Sequence, residues 1–171
     1  MKRSITRRLF LAGILAAGLT ASMAGFSAQP ALAHEAKCPV CKLDVVQDTD
    51  TLDNEVALRS GRKRIEYRCV YCALNDAKSY TGDLTILAPS ELKGKPVVIS
   101  RKEGKWSVLP ETAVFAGQGV PVGQKVDHRN CQIGYRALTG QSAFEKWVQG
   151  HRELLKDAKP LTLTQMLEVA K

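Results

Sequence analysis

Apolar residues in this chain fall mainly in short alternating runs separated by turn formers, the pattern of a mixed domain rather than a helical bundle. Val56-Ala57-Leu58-Arg59 and Arg64-Ile65-Glu66-Tyr67 flank Ser60-Gly61 and predict a tight hairpin. From Cys69 to Tyr80, Tyr71, Leu74 and Ala77 recur at helical spacing, and Thr81-Gly82 ends the run, so a helix is predicted there. Leu84-Thr85-Ile86-Leu87 reads as a strand stopped by Pro89. After Lys93-Gly94-Lys95-Pro96, a second hairpin is predicted from Val97-Val98-Ile99 through Lys102-Glu103-Gly104-Lys105 to Trp106-Ser107-Val108.

The remainder partly echoes this order. Ile65-Glu66-Tyr67-Arg68 returns as Ile133-Gly134-Tyr135-Arg136, read as a second strand after Val114-Phe115-Ala116 and a Gly-rich loop over 117–130. A helix follows from Ser142, its predicted cap, to His151, with Phe144, Trp147 and Val148 as its apolar stripe. Leu161-Thr162-Leu163-Thr164 is a predicted strand, and Met166 and Leu167 belong to a short final helix. The expected fold class is α+β, with two small strand-helix-strand, treble-clef-like lobes at 34–92 and 93–171 and a possible internal duplication.

The first 33 residues have a basic start (Lys2, Arg3, Arg7, Arg8), an apolar stretch from Leu9 to Phe26 and the small-residue site Ala31-Leu32-Ala33. That is the layout of a cleaved secretory signal. Thr6-Arg7-Arg8-Leu9-Phe10-Leu11 further fits a twin-arginine signal, with an ordinary Sec signal as the alternative. Gly13, Gly18, Thr20 and Ser22 interrupt the apolar stretch, so stable membrane insertion after cleavage is not expected. The predicted location is the periplasm.

That leader changes the meaning of the charge. The chain carries 25 basic and 17 acidic residues, a net +8, but four basic and no acidic residues lie before His34, leaving +4. Arg59, Arg62, Lys63, Arg64 and Arg68 form a local basic cluster. Without an aromatic platform it does not point to nucleic acid.

Five cysteines carry the chemistry, four of them as Cys38-Pro39-Val40-Cys41 and Cys69-Val70-Tyr71-Cys72. Each spacing closes a turn that aims two sulfurs at one point, and four thiolates suit the tetrahedral shell of zinc or another soft ion such as Cu(I). The predicted ligands are Cys38, Cys41, Cys69 and Cys72, the second pair at a helix N-terminus where thiolate is favoured. Two disulfides are an alternative for an exported chain, and Cys69 and Cys72 also match a thioredoxin-like redox pair. Neither pair is followed by His, which disfavours covalent haem. His128 and Cys131 are possible additional ligands, as is His34 if cleavage makes it the first residue; an exposed His and a half-buried free Cys is the simpler reading of the former two. His151 reads as a surface residue at a helix end.

Several stretches together resemble the NosL family of copper-binding accessory proteins of nitrous-oxide reductase. They are Cys38-Pro39-Val40-Cys41, Tyr67-Arg68-Cys69 before a helix, Trp106-Ser107-Val108-Leu109-Pro110-Glu111-Thr112-Ala113, and Tyr135-Arg136-Ala137-Leu138 with the helix through Phe144 and Trp147. The resemblance implies two treble-clef-like lobes, a periplasmic setting, and binding or delivery of Cu(I) to a client copper enzyme or another metal acceptor. The chain departs from the family pattern at Cys41-Lys42-Leu43, where members usually read Cys-Gly-Met, and it lacks a lipobox before Cys38. It gains Cys72, which moves the expectation towards a four-thiolate zinc site. No nucleophile–base pair, phosphate loop or carboxylate pair is visible, so a non-enzymatic role is expected.

Overall fold

A computed structural model describes residues 36–46, 54–118 and 128–171 of the chain. The predicted leader and His34 lie outside the described residues. The fold is α+β. It begins with a small antiparallel hairpin, β1 (Ala36–Lys37) and β2 (Asp44–Val45), whose tip holds the first cysteine pair. The hairpin of β3 (Val56–Ser60) and β4 (Lys63–Tyr67) follows and runs directly into helix α1 (Val70–Asp76), continued by one 3₁₀ turn over Ala77–Ser79. Cysteine turn, hairpin and helix thus occur in the order expected of a treble-clef finger.

Strands β5 (Leu84–Ala88), β6 (Val97–Lys102) and β7 (Lys105–Leu109) extend the same antiparallel sheet, in the order β4-β3-β5-β6-β7. Alternation places Leu84, Ile86 and Ala88 of β5 and Val97 and Ile99 of β6 in the core. The β6–β7 turn uses Glu103 and Gly104 at φ 49° and 77°, the paired left-handed geometry that matches strand twist. Arg101 caps the end of the α1 segment by donating to the carbonyls of Ala77, Tyr80 and Gly82, and it stacks over Trp106.

The rest of the chain builds a three-stranded sheet in the order β10-β8-β9, from β8 (Val114–Gly117), β9 (Ala137–Leu138) and β10 (Lys159–Leu161). Helices α2 (Cys131–Gly134), α3 (Gln141–Gly150), α4 (Arg152–Leu155) and α5 (Leu163–Val169) surround it. The C-terminus docks on α1 and the 3₁₀ turn that continues it, where Asn75 and Lys78 donate to the Ala170 carbonyl.

Four local expectations are corrected. The echo at Ile133 is not a strand but helix α2, so the matching tetrapeptides occupy different structures and give no local support to a duplication. Thr162 is not in a strand: it caps α5 through a capping box with Gln165, ending β10 at Leu161. Ser142 lies inside α3, whose N-cap is Gly140. The boundary drawn at residues 92 and 93 falls within one sheet, since β5 pairs with β6 across it.

The first finger is fastened by a buried hydroxyl. Tyr67 is fully buried and donates to Asp76 Oδ2 at 2.5 Å, tying the end of β4 to the end of α1. Burial first, then the neighbouring Asp76 carboxylate, pushes the Tyr67 phenol well above its ordinary value. Tyr67→Phe removes a hydrogen bond to a charged group and should cost about 1.5–3 kcal/mol, lowering Tm by roughly 3–9 °C in calorimetry. Because folding raises the phenol pKa, its contribution is complete below about pH 10 and is lost as pH rises beyond it. The stability gap between wild type and variant should therefore be flat across neutral pH and close in alkali.

Candidate metal centre

Each donor is placed by local backbone geometry. At the β1–β2 tip, Cys38 N–H donates to Leu43 O and Lys42 N–H to Cys38 O, both at 2.9 Å, which closes the turn around the first cysteine pair. The turn needs Lys42 at φ 63°, a left-handed conformation better suited to glycine. Backbone amides of Cys41, Arg68 and Val40 are directed at the Cys38 sulfur, and that of Leu43 at Cys41. Cys69 is the N-cap of α1, extended at φ −157°, and its sulfur accepts from Cys72 N–H at 3.4 Å. Cys72 sits in the first turn, facing inward. The third pair comes from far along the chain: a 3₁₀ turn over His128–Asn130 presents His128 and leads into α2 at Cys131.

These segments converge. One donor atom each from Cys41, Cys72, His128 and Cys131 lies within 4.8 Å of all the others, an arrangement that can hold a metal ion. His128 Nδ1 is 3.8 Å from Cys72 Sγ. Cys38 and Cys69 adjoin the same group, Cys38 through Cys72 and Cys69 through both Cys72 and Cys131. All five cysteines are free thiols. The four-donor group therefore shares Cys41 and Cys72 with the set predicted from spacing, and it recruits His128 and Cys131 in place of Cys38 and Cys69. Cys131 is fully buried, not half-buried, and His128 is partly buried, so the simpler reading of this pair does not hold.

The thiols are not equivalent. Hydrogen bonds from Cys69 and Cys72, opposed by burial and helped by His128, hold Cys131 down at about 3. A hydrogen bond from Cys72, also opposed by burial, brings Cys38 to about 5. Burial pushes Cys41 up to about 11 and Cys69 well above the ordinary thiol value, while Cys72 is raised by sharing its proton with Cys131, Cys38 and Cys69.

Arg68, which spacing alone marks only as part of a basic cluster, locks the three segments together. Its Nη1 donates to Asp44 O at 2.5 Å, its Nε to Gln132 Oε1 at 3.1 Å, and its Nη2 to Arg129 O at 3.5 Å. One guanidinium thus holds the first cysteine hairpin and the His128–Cys131 segment against the residue that precedes Cys69. Aromatic rings line the group: Tyr71 lies 5.0 Å from Tyr135 and 5.8 Å from His128, centroid to centroid. By contrast His151 packs on Trp147 and bonds to its carbonyl, away from the thiols.

Two substitutions test this geometry. Arg68→Ala should weaken binding of a thiophilic ion by about 10–100-fold in competition with a chromogenic chelator, and Arg68→Lys should not restore it, because an ammonium cannot span three acceptors. Unchanged affinity would remove Arg68 from the site. Lys42→Gly should relieve about 1–2 kcal/mol of left-handed strain and lose roughly 0.5–1 kcal/mol to unfolded-chain freedom. The metal-free protein should therefore melt about 1–3 °C higher.

No protein-family model matches the chain, and no curated protein matches it. Among solved structures, the mercury-bound form of MerB2 aligns with a TM-score of 0.55 and 17% identity over 70% of this chain. The chain spans 57% of the MerB2 chain. At that identity the likeness is one of fold.

Proposed function

We propose that this is an exported, non-enzymatic accessory protein of NosL type that takes up a thiophilic ion, Cu(I) above all, and passes it to a client copper enzyme or another acceptor in the periplasm. One observation carries the reading. Of the four converging donors, Cys72 and Cys131 are fully buried while Cys41 and His128 are partly exposed, so the centre has a protected floor and an accessible edge. A carrier needs that combination, because an incoming ligand must reach the ion before the last protein ligand lets go. Mixed sulfur and imidazole donors suit Cu(I), and a protein of similar fold has been crystallised in a mercury-bound form, which favours a soft ion.

Burial of Cys38, Cys69, Cys72 and Cys131 also favours a second reading, a zinc ion that only holds the fold together. A thiol–disulfide oxidoreductase fits less well, since Cys69 is 2% exposed with a raised pKa, the opposite of an attacking thiol.

Stopped-flow transfer of Cu(I) from the loaded chain to a chromophoric acceptor separates carrier from staple. For a carrier, the rate should rise in proportion to acceptor concentration, and stripping the ion should leave the far-ultraviolet circular dichroism intact. A release rate independent of acceptor, with unfolding on removal of the ion, would instead establish the structural role.

A further inference from the structure

One face of the five-stranded sheet packs on α1: Val56, Leu58, Ile86 and Ile99 share a core with Val70 and Leu74. On the other face the register sets Ala57, Leu87, Val98 and Leu109 in a single cross-strand row. That apolar row crosses four strands, about 14 Å at the usual strand spacing. At one end of it Leu109 is 60% exposed. At the other end a cavity of about 350 Å³ opens between the sheet and the β5–β6 loop, residues 89–96, with Ala57, Leu87, Arg59 and Arg64 on the strand side and Leu92 and Lys95 on the loop side. Leu92 is 46% exposed, so two of the three exposed large apolar side chains among the described residues border this row.

The charged positions on the same face oppose folding. Arg59 sits directly opposite Arg64, and Lys102 directly opposite Lys105, and like charges so placed destabilise a sheet. Arg64 is compensated by ion pairs with Glu55 and Glu66, and Asp83 accepts from Glu103 N–H. Arg59, Lys95, Lys102 and Lys105 are exposed and make no ion pair among the described residues. Against these four stands the exposed Glu103 at the β6–β7 turn. An apolar row bordered by unneutralised cations is complementary to a chain in which apolar side chains lie beside carboxylates. Four extended residues, at about 3.4 Å each, span the row, and such a segment can enter the cavity beside the loop. The surface of a bilayer cannot fill that concavity.

We propose that this sheet face is a docking site for an extended acidic segment of a partner polypeptide, its apolar side chains on the Leu87–Val98–Leu109 row and its carboxylates on Arg59 and Lys95. The inference goes beyond the soft-metal reading and does not depend on it, so metal-free and metal-loaded chains should bind alike.

A random hexapeptide phage library panned against the full chain should enrich sequences in which carboxylates flank an apolar residue. A fluorescein-labelled copy of an enriched peptide should bind in fluorescence anisotropy, with an affinity that falls as salt rises. Reversing two cations at once, Arg59→Glu with Lys95→Glu, should weaken that peptide by about tenfold or more, and Leu109→Ser by roughly fivefold. Arg59→Glu also relieves a like-charge pair, so its Tm should not fall, which separates lost binding from lost fold. Three results would overturn the docking site: no enrichment of acidic–apolar peptides, an enriched peptide that binds the double variant as tightly as wild type, or binding to phosphatidylglycerol vesicles without any peptide enrichment. Metal uptake measured on the same samples tests the soft-metal reading separately.

Discussion

The hydrogen bonds of the Arg68 guanidinium are the constraint on which the centre depends. Its acceptors lie 24, 61 and 64 residues away along the sequence, so the side chain joins segments that no local preference would bring together. Closing loops of that length costs conformational entropy, and the burial of sulfur, Tyr71 and Tyr135 around the centre opposes that cost. Arg68 also immediately precedes Cys69, the N-cap of α1. The residue that gathers the segments and the residue that opens the ligand helix are therefore chain neighbours.

Electrostatics then makes the assembled cluster responsive to a cation. Thiols packed this closely cannot all ionise: their mutual contacts push Cys38 and Cys131 down and Cys72 up, and burial pushes Cys69 up. On the proposed reading, a soft ion would replace the protons held between these sulfurs with bonds to the same atoms. The N–H donors to Cys38 and Cys69 are fixed by the β1–β2 turn and by the helix cap, which makes them part of the fold whether or not an ion is present.

What could be read from the sequence was what neighbouring residues determine. The β3–β4 and β6–β7 hairpins follow from alternation and turn residues, and α1 follows from helical spacing between Cys69 and Gly82. The Cys-x-x-Cys turns were equally legible, because two sulfurs three residues apart converge by local geometry. The choice of partners was not. His128 and Cys131 reach the group only through tertiary closure, and their segment carries no periodic signal beyond a turn followed by one helical turn. Ile133-Gly134-Tyr135 fails as a strand for a related reason: Trp147 Nε1 donates to the Ile133 carbonyl, and Tyr135 N–H bonds back to Cys131 O, so tertiary and helical bonds occupy groups that a ladder would use. The proposed lobe boundary fails because Lys93-Gly94-Lys95-Pro96 has the composition of a linker but only joins adjacent strands.

The partition of exposure among the donors bears most directly on function. A site made only of Cys38, Cys41, Cys69 and Cys72 would expose one donor in part, Cys41, and would favour retention. Bringing in the His128 segment adds a second accessible donor, an imidazole, beside the first. Imidazole binds Cu(I) less tightly than thiolate, so in the proposed carrier its bond would be the first to yield to an outside sulfur. Tyr71 lies between Tyr135 and His128, its ring tilted against both, and packs beside that imidazole at the edge of the centre. Buried sulfur for affinity and a replaceable imidazole at the rim are the properties that the proposed carrier would need, to keep an ion and to give it up.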